Sequence, residues 1–302
     1  MFRMLTAEAR LLGTPRSGFD ALVVGYPGHL DLLPGRRAAR GRPVVFNPLV
    51  SLYDTLVDDR GRFAPDSLPA RALRRIDRWA LRTADLVVAD TDANARYLAE
   101  LAGLHRGRFD VCFVGAEDRL FTPPWSPGEA LLFVGKLIPL HGLDTILDAA
   151  RKAPELEIHV VGTGQLADSL SGRPANVRWT PWIEYEQLPA AYRSARAVLG
   201  IFGRSDKARR VIPNKVFQAI ACGAPVITAD TPAARELLSD GETALLVPPG
   251  DSDSLAQAMR TLAGEETLLA HIAAGGRHAY EERASETVLG ARWRALLERL
   301  VG

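Results

Sequence analysis

Two glycine-bearing turns and a handful of cations are the residues of this chain best suited to chemistry. Gly135-Lys136 follows an apolar stretch at 131–134, His141-Gly142 comes shortly after it, and Gly162-Thr163-Gly164 closes a second apolar stretch at 158–161. Glycine lets backbone approach a ligand closely, and Lys136 adds a compact positive charge. Further on, Arg204, Lys207, Arg209 and Arg210 crowd a loop leading into Pro213-Asn214, with Lys215 and Gln218 behind it. Residues three apart share a helix face, so Lys215 and Gln218 point the same way. Asn214 is a good N-cap that leaves the next amides to face an anion, and a cation in a first helical turn is unfavourable unless an anion sits there. This second cluster therefore suggests a diphosphate. Only four of the 37 basic residues are lysine, at 136, 152, 207 and 215, and two of them fall beside these turns. An α/β core unit without a ligand, or a solvated basic loop, would show either pattern alone; together they favour a phosphate-bearing nucleotide.

The elements that must hold these residues are legible. Strand, loop, amphipathic helix and strand over 131–164 make a parallel β-α-β unit, whose ligands bind beyond the carboxyl ends of the strands. Strands are expected near 131–134, 157–161, 176–179, 197–201, 225–228 and 244–247, alternating with helices as in a complete doubly wound domain. The first half offers strands at 21–24, 44–46, 86–89 and 111–114, with helices near 69–82 and 91–102. Residues 122–128, Thr-Pro-Pro-Trp-Ser-Pro-Gly, carry three prolines and read as a linker. The tail from about 252 to 301 is expected to be largely helical. The arginines at 71, 74, 75, 78 and 82 form one stripe of a helix, opposite Leu73, Ile76 and Ala80. Such a stripe suits anionic lipid or a lipid-phosphate acceptor, and equally a plain solvated face.

The 302 residues suffice for two α/β domains, and 47% hydrophobic with 24% charged residues is an ordinary soluble composition. A net charge of +1 argues against a nucleic-acid binder. Cys112 and Cys222 lie far apart in apolar contexts, so a reduced cytoplasmic setting is the default. Arg3, Glu8 and Arg10 break the apolar run at the start, so no signal peptide is expected. His29, in Gly25-Tyr-Pro-Gly-His29, and Asp54, with Asn47 and Ser51 before it, are the weak candidates for work on an acceptor hydroxyl. No Ser-His-Asp set and no cluster with metal-ligand spacing stands out, so no metal is expected.

Taken in order, Gly-Lys-x-x-x-x-His-Gly, Val-Val-Gly-x-Gly, the strand-loop Trp179-Thr-Pro-Trp-Ile183 and Pro-x-Lys-x-x-Gln-Ala-x-Ala-x-Gly-x-Pro-Val-Ile resemble the C-terminal domain of GT-B glycosyltransferases, most nearly the retaining family 4. Residues 84–94 and 114–123 resemble the end of that family's acceptor domain. The resemblance implies an α/β, GT-B-like fold of two Rossmann-type doubly wound domains. It places a partial acceptor-side domain at 1–122, a linker at 123–129, a nucleotide-sugar domain at 130–280 and a C-terminal helix at 281–302 that could return to the first domain. It assigns the donor phosphates to Gly135, Lys136, Arg210, Asn214 and Lys215, the ribose to Gln218, and the base to Gly162, Gly164, Trp182 and Ile183. Three positions depart from the family pattern. His141 stands where a second lysine is common, Gln218 where a glutamate holds the ribose, and Arg210 where a glutamate often reads the sugar. A neutral imidazole and an uncharged amide bind less strongly in those roles.

Only the last four of the seven or so strands of the family's N-domain can be found, so that domain is expected to be incomplete. The apolar strand at 21–24 would then expose a pairing edge. A fragment, a partner chain supplying the rest of the sheet, or the N-terminal segment with a second copy would each account for it; a homo- or hetero-oligomer is one expected partner arrangement. The activity implied is transfer from a UDP- or GDP-sugar, used as substrate with no bound cofactor, to a glycan or lipid-linked acceptor with retention. A cytoplasmic location, extending to peripheral contact with the inner membrane face, goes with it. The alternatives are a non-catalytic nucleotide-sugar-binding subunit and a GT-B sugar-nucleotide epimerase.

Overall fold

A computed structural model describes residues 18–302. The chain divides into two compact units, one running to Phe113 and including Gly290–Gly302, the other Val114–Leu289. The expectations about the N-terminal segment before residue 18 lie outside the described residues.

In the first unit, four short valine-rich strands form a parallel sheet in the order β1 (Leu22–Gly25), β2 (Val44–Asn47), β3 (Leu86–Ala89), β4 (Phe109–Val111). Among the described residues its helices include α1 (Leu32–Ala39), α2 (Leu68–Thr83) and α3 (Asp92–Ala102). Their starts are written locally. The Ser67 hydroxyl accepts from Ala70 N (3.3 Å) and Pro69 fills the first turn of α2, while Thr91 accepts from Asn94 N (3.0 Å). Phe46, Leu32, Leu81, Leu98 and Phe109 form the buried core. The fourth strand lies two residues earlier than the expected 111–114. Its partner β3 stops at Ala89, two residues before Thr91 caps α3, so pairing ends once Cys112 N has reached the Ala89 carbonyl. The arginine stripe of α2 is exposed as its spacing requires. Asp77, on the same helix, is fully buried. The last turns of α9 (Glu286–Val301) belong to this unit and are tied to it by Arg292, 2.8 Å from Asp110, and by Arg299 on the same carboxylate.

The second unit is built on six parallel strands ordered β10-β9-β8-β5-β6-β7: β5 (Leu131–Val134), β6 (Ile158–Val161), β7 (Val177–Thr180), β8 (Val198–Leu199), β9 (Val226–Ala229) and β10 (Leu245–Val247). The helices are α4 (Leu143–Lys152), α5 (Leu188–Arg193), α6 (Asn214–Ala221), α7 (Ser252–Gly264) and α8 (Glu266–Arg283). α4 packs on α7 and α6 on α8, and the core runs from Leu131, Phe133 and Val160 through Ile146 to Met259 and Ile272. The proline-rich segment is fastened here: Trp125 Nε1 donates to Ala195 O (2.8 Å) and Ser126 N to Arg193 O (2.9 Å). The strand order reverses between β5 and β8. In a doubly wound sheet that reversal opens a crevice beyond the strands' carboxyl ends, where ligands bind.

Candidate functional site

The two glycine turns meet at this reversal. Gly135 N donates to Val161 O (2.9 Å), Leu137 N to Thr163 O (3.0 Å) and Leu166 N to Leu137 O (2.9 Å), so the loops after β5 and β6 are laced together. They come close enough that a Cβ on Gly162, at φ +139°, would stand 1.9 Å from the Gly135 carbonyl oxygen. Only glycine permits that crossing. Trp179 Nε1 donates to the Gly162 carbonyl (2.9 Å) and fixes the second loop from the β7 side. What the lacing leaves is a cavity of about 480 Å³, a size suited to a nucleotide. Gly135, Lys136, Gly162, Gly164, Trp182 and Ile183, named from the sequence for phosphate and base, all line it, with Tyr185 and Leu188.

Beneath the first turn lie two basic side chains in an unusual state. Lys215 is 5% exposed; its Nζ sits 3.6 Å from the Phe133 ring centre and 3.3 Å from the Gly200 carbonyl. No carboxylate among the described residues pairs with it, and burial pushes it well below the usual lysine range. His141 is buried against the same Phe133 ring, 5.7 Å between ring centres. Burial first, and then the neighbouring Lys215, hold its pKa down to about 2. Its Nδ1 meets the Lys136 carbonyl, so the neutral ring carries its proton there and Nε2 keeps the lone pair. A Cβ on Gly135 would lie 3.0 Å from both Lys215 Nζ and His141 Cε1. The glycine thus puts the loop directly over both groups.

Other expected site residues fall elsewhere. Arg210, Asn214 and Gln218 are not among the residues lining the cavity. Asn214 is not the cap of α6: Pro213 is, in an extended conformation at ψ 149°, and Asn214 is the exposed first residue of the helix. Proline's fixed φ places it at a helix entrance as readily as an asparagine. Arg204 turns away to the Gly250 carbonyl (3.3 Å). The Gln218 oxygen accepts from the Tyr192 hydroxyl (3.0 Å), so the expected ribose acceptor already has a donor.

In the first unit, His29 is 4% exposed, its Nε2 3.0 Å from Asp77 Oδ1 and its Nδ1 against the Pro27 carbonyl. Both ring nitrogens are engaged, so the geometry leaves neither for an acceptor hydroxyl, and the catalytic expectation for His29 fails on that ground. Asp54 is buried in the π-helical turn Asp54–Asp59, its N–H donating to Ser51 Oγ (3.0 Å), and offers no exposed carboxylate. Asp77 went unnoticed in the sequence. The available signal was its position between Ile76 and Ala80 on the apolar side of an otherwise arginine-rich helix.

An all-parallel doubly wound unit with a nucleotide-sized cavity at its switch point stands in a chain with a second parallel α/β unit, a two-Rossmann architecture. A family model described as glycosyl transferases group 1 matches residues 128–265, and one described as glycosyl transferase 4-like domain matches 1–115. The chain belongs to the GT-B glycosyltransferases. It is 31% identical to the D-inositol 3-phosphate glycosyltransferase of Rhodococcus erythropolis over 264 residues, 77% of this chain and 58% of that protein. It is 30% identical to the phosphatidyl-myo-inositol mannosyltransferase of Mycobacterium leprae over 160 residues, 50% of this chain and 42% of that one. The chain thus spans about half the length of these relatives, 58% of one and 42% of the other. Among solved structures, HepE of Anabaena in complex with UDP-glucose superposes with a TM-score of 0.76 over 97% of this chain and 82% of its own, at 19% identity. That likeness concerns the fold.

Proposed function

We propose that this chain moves a sugar from a nucleotide-diphosphate donor to a hydroxyl acceptor. The observation that carries the proposal is the buried Lys215, without a carboxylate and directly under the Gly135 turn that lines the cavity. Holding a lysine there works against folding unless an anion offsets it, and a diphosphate in the cavity would do so. Lys136, exposed on the cavity wall, supplies a second cation from the same turn. The bond from the sugar's anomeric carbon to the leaving diphosphate breaks as the acceptor oxygen bonds to that carbon, with retention. The acceptor's proton passes to the diphosphate, whose charge the lysines stabilise. No protein nucleophile enters.

UDP and GDP are the donor nucleotides to try first. The names of two relatives place inositol phosphate and phosphatidylinositol at the head of an acceptor screen. Thermal-shift measurements with UDP, GDP and their sugars, followed by a donor-turnover assay, test the proposal. Lys136→Ala should lose most of the nucleotide-induced shift while leaving the ligand-free melting temperature within about 1 °C, as expected for an exposed side chain. Absence of any shift in the wild-type chain would sink the proposal. A shift without turnover across the acceptor screen would replace it with a nucleotide-sugar-binding subunit.

A further inference from the structure

Gln218 lies where a ribose-binding carboxylate is expected, yet it does not line the cavity; Tyr185 does. Tyr185 is 42% exposed, and its ring meets Phe121 edge-on, 5.7 Å between centres at 75°, which fixes the direction of the phenol. Tyr192, wholly buried, keeps its proton because burial pushes its pKa far above the ordinary tyrosine value, and it donates that proton to Gln218 Oε1 at 3.0 Å. With the amide oxygen engaged, the N–H side of Gln218 faces the Tyr185 hydroxyl. The Tyr185 oxygen then accepts from Gln218, and its own proton is left for the cavity. Burial, and then the Glu117 charge, raise the Tyr185 pKa, so that proton stays in place at neutral pH.

We propose that Tyr185 is the residue that meets the donor's nucleoside, donating to a ribose hydroxyl or base carbonyl oxygen, and that Gln218 is a positioning residue acting through it. This rests on the donor-site reading above. It also gives the amide at 218 a reason. A carboxylate there would accept from both tyrosines and draw the Tyr185 proton inward, whereas an amide, accepting from one and donating to the other, turns it outward.

Calorimetric titration of the full chain with UDP, GDP and inorganic pyrophosphate tests this. Tyr185→Phe keeps the ring and the fold, and it should weaken the better-bound nucleoside diphosphate by about five- to tenfold, the range of one neutral hydrogen bond. Pyrophosphate affinity should be unchanged. Gln218→Glu should produce the same selective loss, and adding Tyr185→Phe to it should cost nothing more. An unaltered nucleotide affinity in Tyr185→Phe, or an equal loss for pyrophosphate, overturns the inference and leaves the donor site standing. Wild-type binding of pyrophosphate without either nucleotide also overturns it. Binding of none of the three overturns the donor-site reading and this inference together.

Discussion

Each unit of this chain buries a basic group beside the carboxyl ends of its strands, and the two are treated in opposite ways. In the first unit His29 is answered completely. Asp77, fully buried, takes the imidazole at 3.0 Å, the Ser51 hydroxyl at 2.9 Å and the amides of Leu52 (2.9 Å) and Tyr53 (2.8 Å). One carboxylate thereby fastens the loops after β1 and β2 to α2. In the second unit Lys215 has a carbonyl and an aromatic face, and His141 is held neutral beside it. A satisfied buried pair is architecture; a buried lysine with no counter-charge is a cost that function must repay. The difference separates a structural cluster from the proposed donor site without reference to any relative.

The sharpest way to break the comparison is Asp77→Ala. Removing the carboxylate strands an imidazole, a hydroxyl and two amides, and should cost about 3–5 kcal/mol of unfolding free energy in urea. A cost below about 1 kcal/mol would show that the cluster does not hold the loops. Lys215→Met is the opposite experiment. Methionine fills similar space without a charge to bury, so the ligand-free protein should be unchanged or up to about 2 kcal/mol more stable, while the shift induced by UDP or GDP disappears. A destabilised Lys215→Met protein that still binds nucleotide would make Lys215 structural and erase the contrast.

How much of this could be read in the sequence depends on whether chemistry or packing fixes the residue. Gly135 and Gly162 were visible because a close backbone crossing restricts residue type to glycine. The strand at 131–134 falls on its expected residues, since a doubly buried parallel strand is a continuous apolar run. Asp77 was hidden by its five arginine neighbours on α2, which make an aspartate there look like a solvated ion-pair partner. His29 was only a weak candidate, since the sequence does not place the buried Asp77 of α2 against a turn histidine. Tyr185 carried no signal at all, being a common residue at a loop whose role comes from a glutamine far along the chain.

The smallest effect is also the most direct measure of how the second unit treats its bases. His141 has a folded pKa of about 2 against an ordinary 6.5, so between those values the unfolded chain binds a proton that the folded chain refuses. Stability therefore rises with pH in this window and is lost as pH falls below 6.5, by at most about 1.4 kcal/mol per unit from this one group. His141→Asn retains a donor for the Lys136 carbonyl but cannot titrate. The other histidines are common to both proteins and cancel in the difference. Urea denaturation at pH 7.5 and 5.5 should thus show the wild type losing about 1 kcal/mol more than the variant over that interval. Parallel losses would mean that His141 protonates in place, and that the site tolerates two neighbouring cations without its ligand.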